Sequence, residues 1–114
     1  MGLQVIALTP DFAVSPQLLA EDFSWVFAQG FKTVINNRPD GEGGDAQPTS
    51  LALERAAMAA GLRYVYLPVV SGAITAEQVQ AMQDALAAAV QPTLAFCRSG
   101  ARSAQLFGLA QSLG

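Results

Sequence analysis

The stretch Cys97-Arg98-Ser99-Gly100-Ala101-Arg102-Ser103 brings the single thiol of the chain together with two guanidinium groups, two hydroxyls and a glycine. The apolar run Thr93-Leu94-Ala95-Phe96 leads into it, and a helical pattern from about Arg102 to Leu113 follows. The thiol is therefore expected at the end of a buried strand, where open α/β sheets place their ligands. Successive N–H groups of Arg98, Ser99, Gly100, Ala101 and Arg102, with the helix N-terminus behind them, would form a concave anion site. Gly100 would let the backbone close around it. Arg102 would offer a planar fork to two oxygens of an oxyanion. The same positive field favours the Cys97 thiolate, a nucleophile aimed at the centre of a bound oxyanion. By default a lone cysteine after an apolar strand is a small buried hydrophobe, and Arg98 and Arg102 are solvated helix-end residues. The spacing Cys-x-x-Gly-x-Arg-Ser at a strand-to-helix turn favours the functional reading.

Composition removes the competing chemistries. Among 114 residues there is no histidine and one cysteine. That excludes a Ser-His-Asp triad, a Cys-His dyad, a His-ligated metal, an intrachain disulfide and a CxxC pair. No metal and no cofactor is expected. Six Lys and Arg stand against nine Asp and Glu, and no basic cluster exceeds two residues, so no nucleic-acid partner is expected. The N-terminal segment lacks a positive n-region, and Ile6 stands where a myristoylation signal has Ser or Thr. No apolar stretch approaches the ~18 residues of a membrane span. With a free thiol suited to a reducing compartment, a cytoplasmic location is expected.

Length suits a single domain over 1–114. A charged content of only 13% with a mean hydropathy of +0.33 suits a sheet covered on both faces. Short β-like runs are expected at Val5–Leu8 and Phe12–Val14. Leu18, Leu19, Phe23, Val26 and Phe27 repeat at helical spacing, with a start at Ser15-Pro16 or later near Ala20, and with Gly30 as the C′ residue. Lys32–Ile35 reads as a buried strand. Asn36–Pro48 is a long loop carrying three glycines and three acids. Thr49 or Ser50 caps an Ala-rich helix that ends at Gly61, and Arg63–Leu67 is the next strand. Thr75-Ala76-Glu77-Gln78 reads as a capping box for a helix to about Ala89. Strands alternating with helices imply a mainly parallel α/β sheet.

The loop resembles two families: the cysteine-dependent protein phosphatases, with C-x5-R followed by Ser or Thr, and the rhodanese sulfurtransferases, which often carry C-R-S-G-x-R-S. Phe31-Lys32-Thr33-Val34-Ile35-Asn36-Asn37-Arg38-Pro39-Asp40-Gly41-Glu42, Tyr66-Leu67-Pro68-Val69 and Ser71-Gly72-Ala73-Ile74-Thr75 are more specific. With them the chain, from about Leu8 to Leu113, resembles the bacterial DUF442 family, the phosphatase-like domain of beta-lactamase hydrolase-like proteins. The rhodanese Asp-Val-Arg and Gly-His-Ile motifs are missing. The resemblance implies an α/β/α cysteine phosphatase architecture, Cys97 as nucleophile, Arg102 as oxyanion ligand and Ser103 as the hydroxyl that assists departure of the sulfur. The loop is one residue shorter than in phosphatases, Phe96 replaces the usual His, and no Asp lies between Pro68 and Thr75.

Asp40, after a strand expected beside the Cys97 strand, is the candidate general acid; its alternative is a turn residue before Gly41. Glu42 and Asp45 read as solvated loop charges. Arg38 either adds positive field to the site or pairs with those acids. Three functions remain: a phosphatase acting through a cysteinyl-phosphate, a sulfurtransferase carrying a persulfide on Cys97, and a non-catalytic oxyanion-binding module. The expected ligand is a small phosphorylated or sulfur-containing oxyanion.

Overall fold

The structure, a computed structural model, describes residues 3–113; Met1, Gly2 and Gly114, which the expected domain includes, lie outside the described residues. Five strands form one sheet: β1 (Ile6–Thr9), β2 (Phe12–Ser15), β3 (Thr33–Asn36), β4 (Arg63–Tyr66) and β5 (Thr93–Phe96). Their order is β1-β2-β5-β3-β4. All neighbours run parallel except the β1–β2 hairpin. β5 is thus the central strand, and Phe96 lies level with Ser15 on β2 and Asn36 on β3.

The helices α1 (Phe23–Ala28), α2 (Ser50–Ala59), α3 (Ala76–Ala88) and α4 (Ala101–Ser112) cover the two faces. Alternation along the strands divides the core. Ala13, Val34, Leu94 and Phe96 pack with Phe23, Val26, Leu53 and Ala57 of α1 and α2. Val14, Ile35 and Ala95 pack with Val79 and Met82 of α3 and Leu106 and Ala110 of α4. The result is a three-layer α/β/α architecture. β2, β3 and β5 are buried along their whole length, which is why they read as continuous apolar or β-branched runs rather than alternating ones.

Helix ends follow local chemistry. Thr49 caps α2 by accepting the Ala52 N–H, and Thr75 with Gln78 forms the expected capping box on α3. The first helix begins at the later of its two expected starts: Ser15 belongs to β2, and a 3-10 turn at Ala20–Asp22 precedes α1. Among the described residues, no helix is long and apolar enough to cross a membrane.

Candidate active site

β5 delivers Cys97 to the carboxyl edge of the sheet, and the neighbouring strands brace its loop. The Asn37 N–H donates to the Phe96 carbonyl at 2.9 Å, and the Gln17 N–H to the Arg98 carbonyl at 3.3 Å. Gly100 turns the chain into α4 with φ of +97°, and a Cβ there would stand 3.3 Å from the carbonyl carbon and oxygen of Ser15. Both the left-handed backbone and the close approach require glycine. This turn aims the Gly100 N–H at the Cys97 sulfur, 3.1 Å away.

Cys97 is only 1% exposed. It forms part of the floor of an open cleft of about 700 Å³ lined by Arg38, Glu42, Gly43, Ser71, Arg98, Ser99, Ala101 and Arg102. Burial has the largest influence on the thiol and pushes its pKa up; the polar groups of Ser103, then the Gly100 and Ser99 N–H groups, together outweigh it and hold the thiol below its ordinary value. Such donors favour the thiolate because they point at the charged form.

Arg102 lies in the first turn of α4 and is almost wholly covered. Its Nη1 donates to Glu42 Oε2 at 3.0 Å and to the Val69 carbonyl at 3.0 Å, and its Nη2 to Glu42 Oε1 at 3.1 Å. Its Nε is buried and has no partner among the described residues, a donor that a bound oxyanion could satisfy. Arg38 also holds Glu42, donating from Nε to the same Oε1 at 2.9 Å, while its Nη1 donates to Gln17 Oε1. Glu42 is therefore not a free loop charge: it stays partly exposed but is paired with two arginines. The Arg102 hydrogen bonds dominate and hold its carboxyl below the usual carboxylate range; burial opposes them, and Arg38 adds to them. Of the two alternatives for Arg38, the structure shows the pairing with a loop acid, and the side chain also lines the cleft.

The structure does not bring Asp40 to the cleft. Its exposed carboxylate accepts the Ser50 N–H at 2.7 Å, and its own N–H donates to the Tyr66 hydroxyl at 2.8 Å. It ties the loop to the first turn of α2, as the turn alternative anticipates. The neighbour relation between β3 and β5 is as expected, but the chain turns away after Arg38 and returns to the cleft only at Glu42.

Sequence reasoning missed Asn37. It is fully buried. Its Nδ2 donates to the Leu67 carbonyl at 2.9 Å, and its Oδ1 accepts the Ser103 hydroxyl at 2.8 Å. The one signal was a polar pair, Asn36-Asn37, ending a β-branched run. Among the described residues, no group of three or more His, Cys, Asp or Glu side chains comes together as a metal site.

A central parallel strand that delivers a thiol to a glycine turn, with an arginine in the following helical turn, defines a cysteine phosphatase-like α/β domain. Residues 4–114 match the beta-lactamase hydrolase-like protein, phosphatase-like domain family, and the chain belongs to it. It is similar to a beta-lactamase hydrolase-like protein of Agrobacterium fabrum, 35% identical over 111 residues, which cover 97% of this chain and 26% of the relative. The chain thus spans about a quarter of that relative's length. Among solved structures, it is similar to a phosphatase candidate from Neisseria meningitidis, with 32% identity, a TM-score of 0.83 and coverage of 90% of this chain and 72% of that one. It also shares the fold of a DUF442 phosphatase candidate from Shewanella putrefaciens, with 24% identity, a TM-score of 0.84 and coverage of 96% and 72%.

Proposed function

We propose that this domain hydrolyses phosphate esters through a cysteinyl-phosphate on Cys97. The carrying observation is the seat of the sulfur: it accepts the Gly100 N–H at 3.1 Å in a cleft shared with Arg102, whose buried Nε has no partner. The N–H groups from Arg98 to Arg102 and the Arg102 guanidinium hold the non-bridging oxygens. The Cys97 thiolate attacks phosphorus, an S–P bond forms, and the P–O bond to the leaving group breaks. Water then attacks phosphorus, the S–P bond breaks with its electron pair returning to sulfur, and the proton of the water passes to solvent. Ser103 donates a hydrogen bond to the departing sulfur.

Among the residues that line the cleft, Glu42 is the sole carboxylate. Two arginines hold it ionised, which suits it to fix Arg102 rather than to give up a proton. General acid help is worth about 10²–10⁴-fold. Without it the leaving oxygen takes its proton from solvent, so esters whose leaving group departs as a stable anion, aryl phosphates above all, react best.

The short loop from Cys97 to Arg102 favours a second reading, sulfane-sulfur transfer through a Cys97 persulfide. A paired assay separates the two: phosphate release from an aryl phosphate, and thiocyanate formation from thiosulfate and cyanide, each with Cys97→Ser as control. Phosphate release that depends on Cys97 supports the first reading. Thiocyanate formation alone overturns it, and silence in both arms favours oxyanion binding without turnover.

A further inference from the structure

Half of the basic residues of an acidic chain line one cleft. Arg38, Arg98 and Arg102 are three of its six Lys and Arg, and they stand there against Glu42, one of its nine Asp and Glu. One phosphoryl group over Cys97 engages Arg102 and the loop N–H groups, which leaves two guanidinium groups over. Those two share a mount. The Gln17 N–H donates to the Arg98 carbonyl at 3.3 Å, and Gln17 Oε1 accepts from Arg38 Nη1 at 3.1 Å. Arg38 is firmly seated: its side chain is 11% exposed, and a Cβ on Gly43 would stand 2.8 Å from its Nη2. Gly43 has an ordinary φ of −98°, so glycine is needed there to make room for the guanidinium and not for backbone freedom. Holding Glu42 takes only the Nε–H of Arg38, one of its five N–H donors. Arg98 is exposed and takes part in neither ion pair of the described residues.

We propose that Arg38 and Arg98 form a second anion subsite beside the phosphoryl seat, and that the substrates of this domain are phosphate esters carrying a second phosphate group. Planar guanidinium forks pair best with the oxygens of a phosphate. A phosphate dianion matches the charge of both arginines, whereas a carboxylate matches one. Arg38, already held by Glu42 and Gln17, loses little freedom when an anion binds, and such preorganisation favours binding. The open cleft of about 700 Å³ has the size of a site for a whole small molecule, with room beyond one phosphoryl group. The reacting end of the substrate rests on the phosphatase reading; the binding of two anions does not.

The test compares phenyl phosphates with similar leaving groups, bearing a meta ethyl, carboxymethyl or phosphonomethyl group, the last a stable stand-in for phosphate. For the phosphonomethyl ester, kcat/KM exceeds that for the ethyl ester by about 10–100-fold, the worth of charge-assisted hydrogen bonds to one anion; the carboxymethyl ester lies between them. Arg98→Ala and Arg38→Gln each cut that ratio about tenfold. Any harm that Arg38→Gln does to Arg102 through Glu42 falls on all the esters alike and cancels in the ratio. Arg63→Ala removes an exposed charge outside the cleft and leaves the ratio as it is. A ratio near one in the wild type, a ratio that survives both cleft variants, or an equal gain from the carboxymethyl group overturns the proposal. Calorimetry of the wild-type protein with the matching phenylphosphonates, whose P–C bond does not hydrolyse, reads the same preference without turnover. Hydrolysis of all the esters at one common rate keeps the proposed function and removes the subsite. A calorimetric preference that is lost in Arg98→Ala, in a protein that hydrolyses none of the esters, removes the proposed function and keeps the subsite.

Discussion

Glu42 grips both terminal nitrogens of Arg102, with Oε2 at 3.0 Å from Nη1 and Oε1 at 3.1 Å from Nη2. The two residues are far apart in sequence, and Arg38 holds the same carboxylate through Oε1 at 2.9 Å. With Nη1 also donating to the Val69 carbonyl, the guanidinium is fixed on its outer edge; the second N–H of Nη2 and the buried Nε, which has no partner among the described residues, are the donors left over. Holding a group at the reacting centre replaces a search over rotamers, and a misplacement of about 1 Å can cost 10²-fold in rate.

Glu42→Gln therefore lowers kcat/KM for an aryl phosphate by about 10–100-fold. The same change removes a negative charge from the cleft and so lowers the Cys97 pKa. Activity and thiol acidity move in opposite directions, which steady-state kinetics and alkylation rates read separately. A rise in kcat/KM would mean that Glu42 competes with the substrate for Arg102 instead of positioning it.

Arg102→Lys keeps the charge but cannot grip two carboxylate oxygens, a carbonyl and an oxyanion together. Loss of one preorganised donor slows turnover by about 10²–10³-fold. Turnover within tenfold of wild type would show that charge alone suffices.

Gly100→Ala places a Cβ 3.3 Å from the Ser15 backbone at a φ of +97°. Such a residue costs about 1–3 kcal/mol, which thermal unfolding measures. The turn that aims the Gly100 N–H at sulfur shifts with it, so alkylation at neutral pH slows.

Asp40→Ala leaves kcat/KM unchanged, because its carboxylate caps the Ser50 N–H and does not reach the cleft. It lowers stability by about 1 kcal/mol, the usual scale for a lost cap. Turnover slowed by about 10²-fold or more would restore Asp40 as the acid.

Both Cys97 and Glu42 have pKa values lowered in the folded state. Each therefore favours folding where it is ionised: the contribution is full above the unfolded pKa and is lost as pH falls through the folded one. Relative to Cys97→Ser, wild-type stability should rise as pH climbs toward 9.0, the ordinary thiol value. Relative to Glu42→Gln, it should fall as pH drops below 4.5. Unfolding midpoints across pH check both, and parallel curves for wild type and variant would refute the corresponding ionisation.

Most of the fold was legible because its three inner strands are buried along their whole length and its three longer helices begin at Thr49, Thr75 and Gly100, whose chemistry is local. The Cys97–Ser103 segment was legible for the same reason: Cys97, Gly100 and Arg102 lie within one strand-to-helix turn. Asp40 and Glu42 were not, because two acids in one long loop are equivalent in sequence. Only the anchoring of the loop through Ser50 and Tyr66 decides which faces the cleft. Asn37 escaped notice because its partners, Leu67 and Ser103, come from distant segments.

The most direct test is to trap the intermediate. Wild-type protein mixed with an aryl phosphate and quenched in acid within the first turnovers should carry one phosphoryl group on Cys97, found by mass spectrometry of the Cys97 peptide, and Cys97→Ser should release no phosphate. Undiminished phosphate release by Cys97→Ser, or turnover with no phosphoryl group on Cys97 at any quench time, would contradict the thiol mechanism.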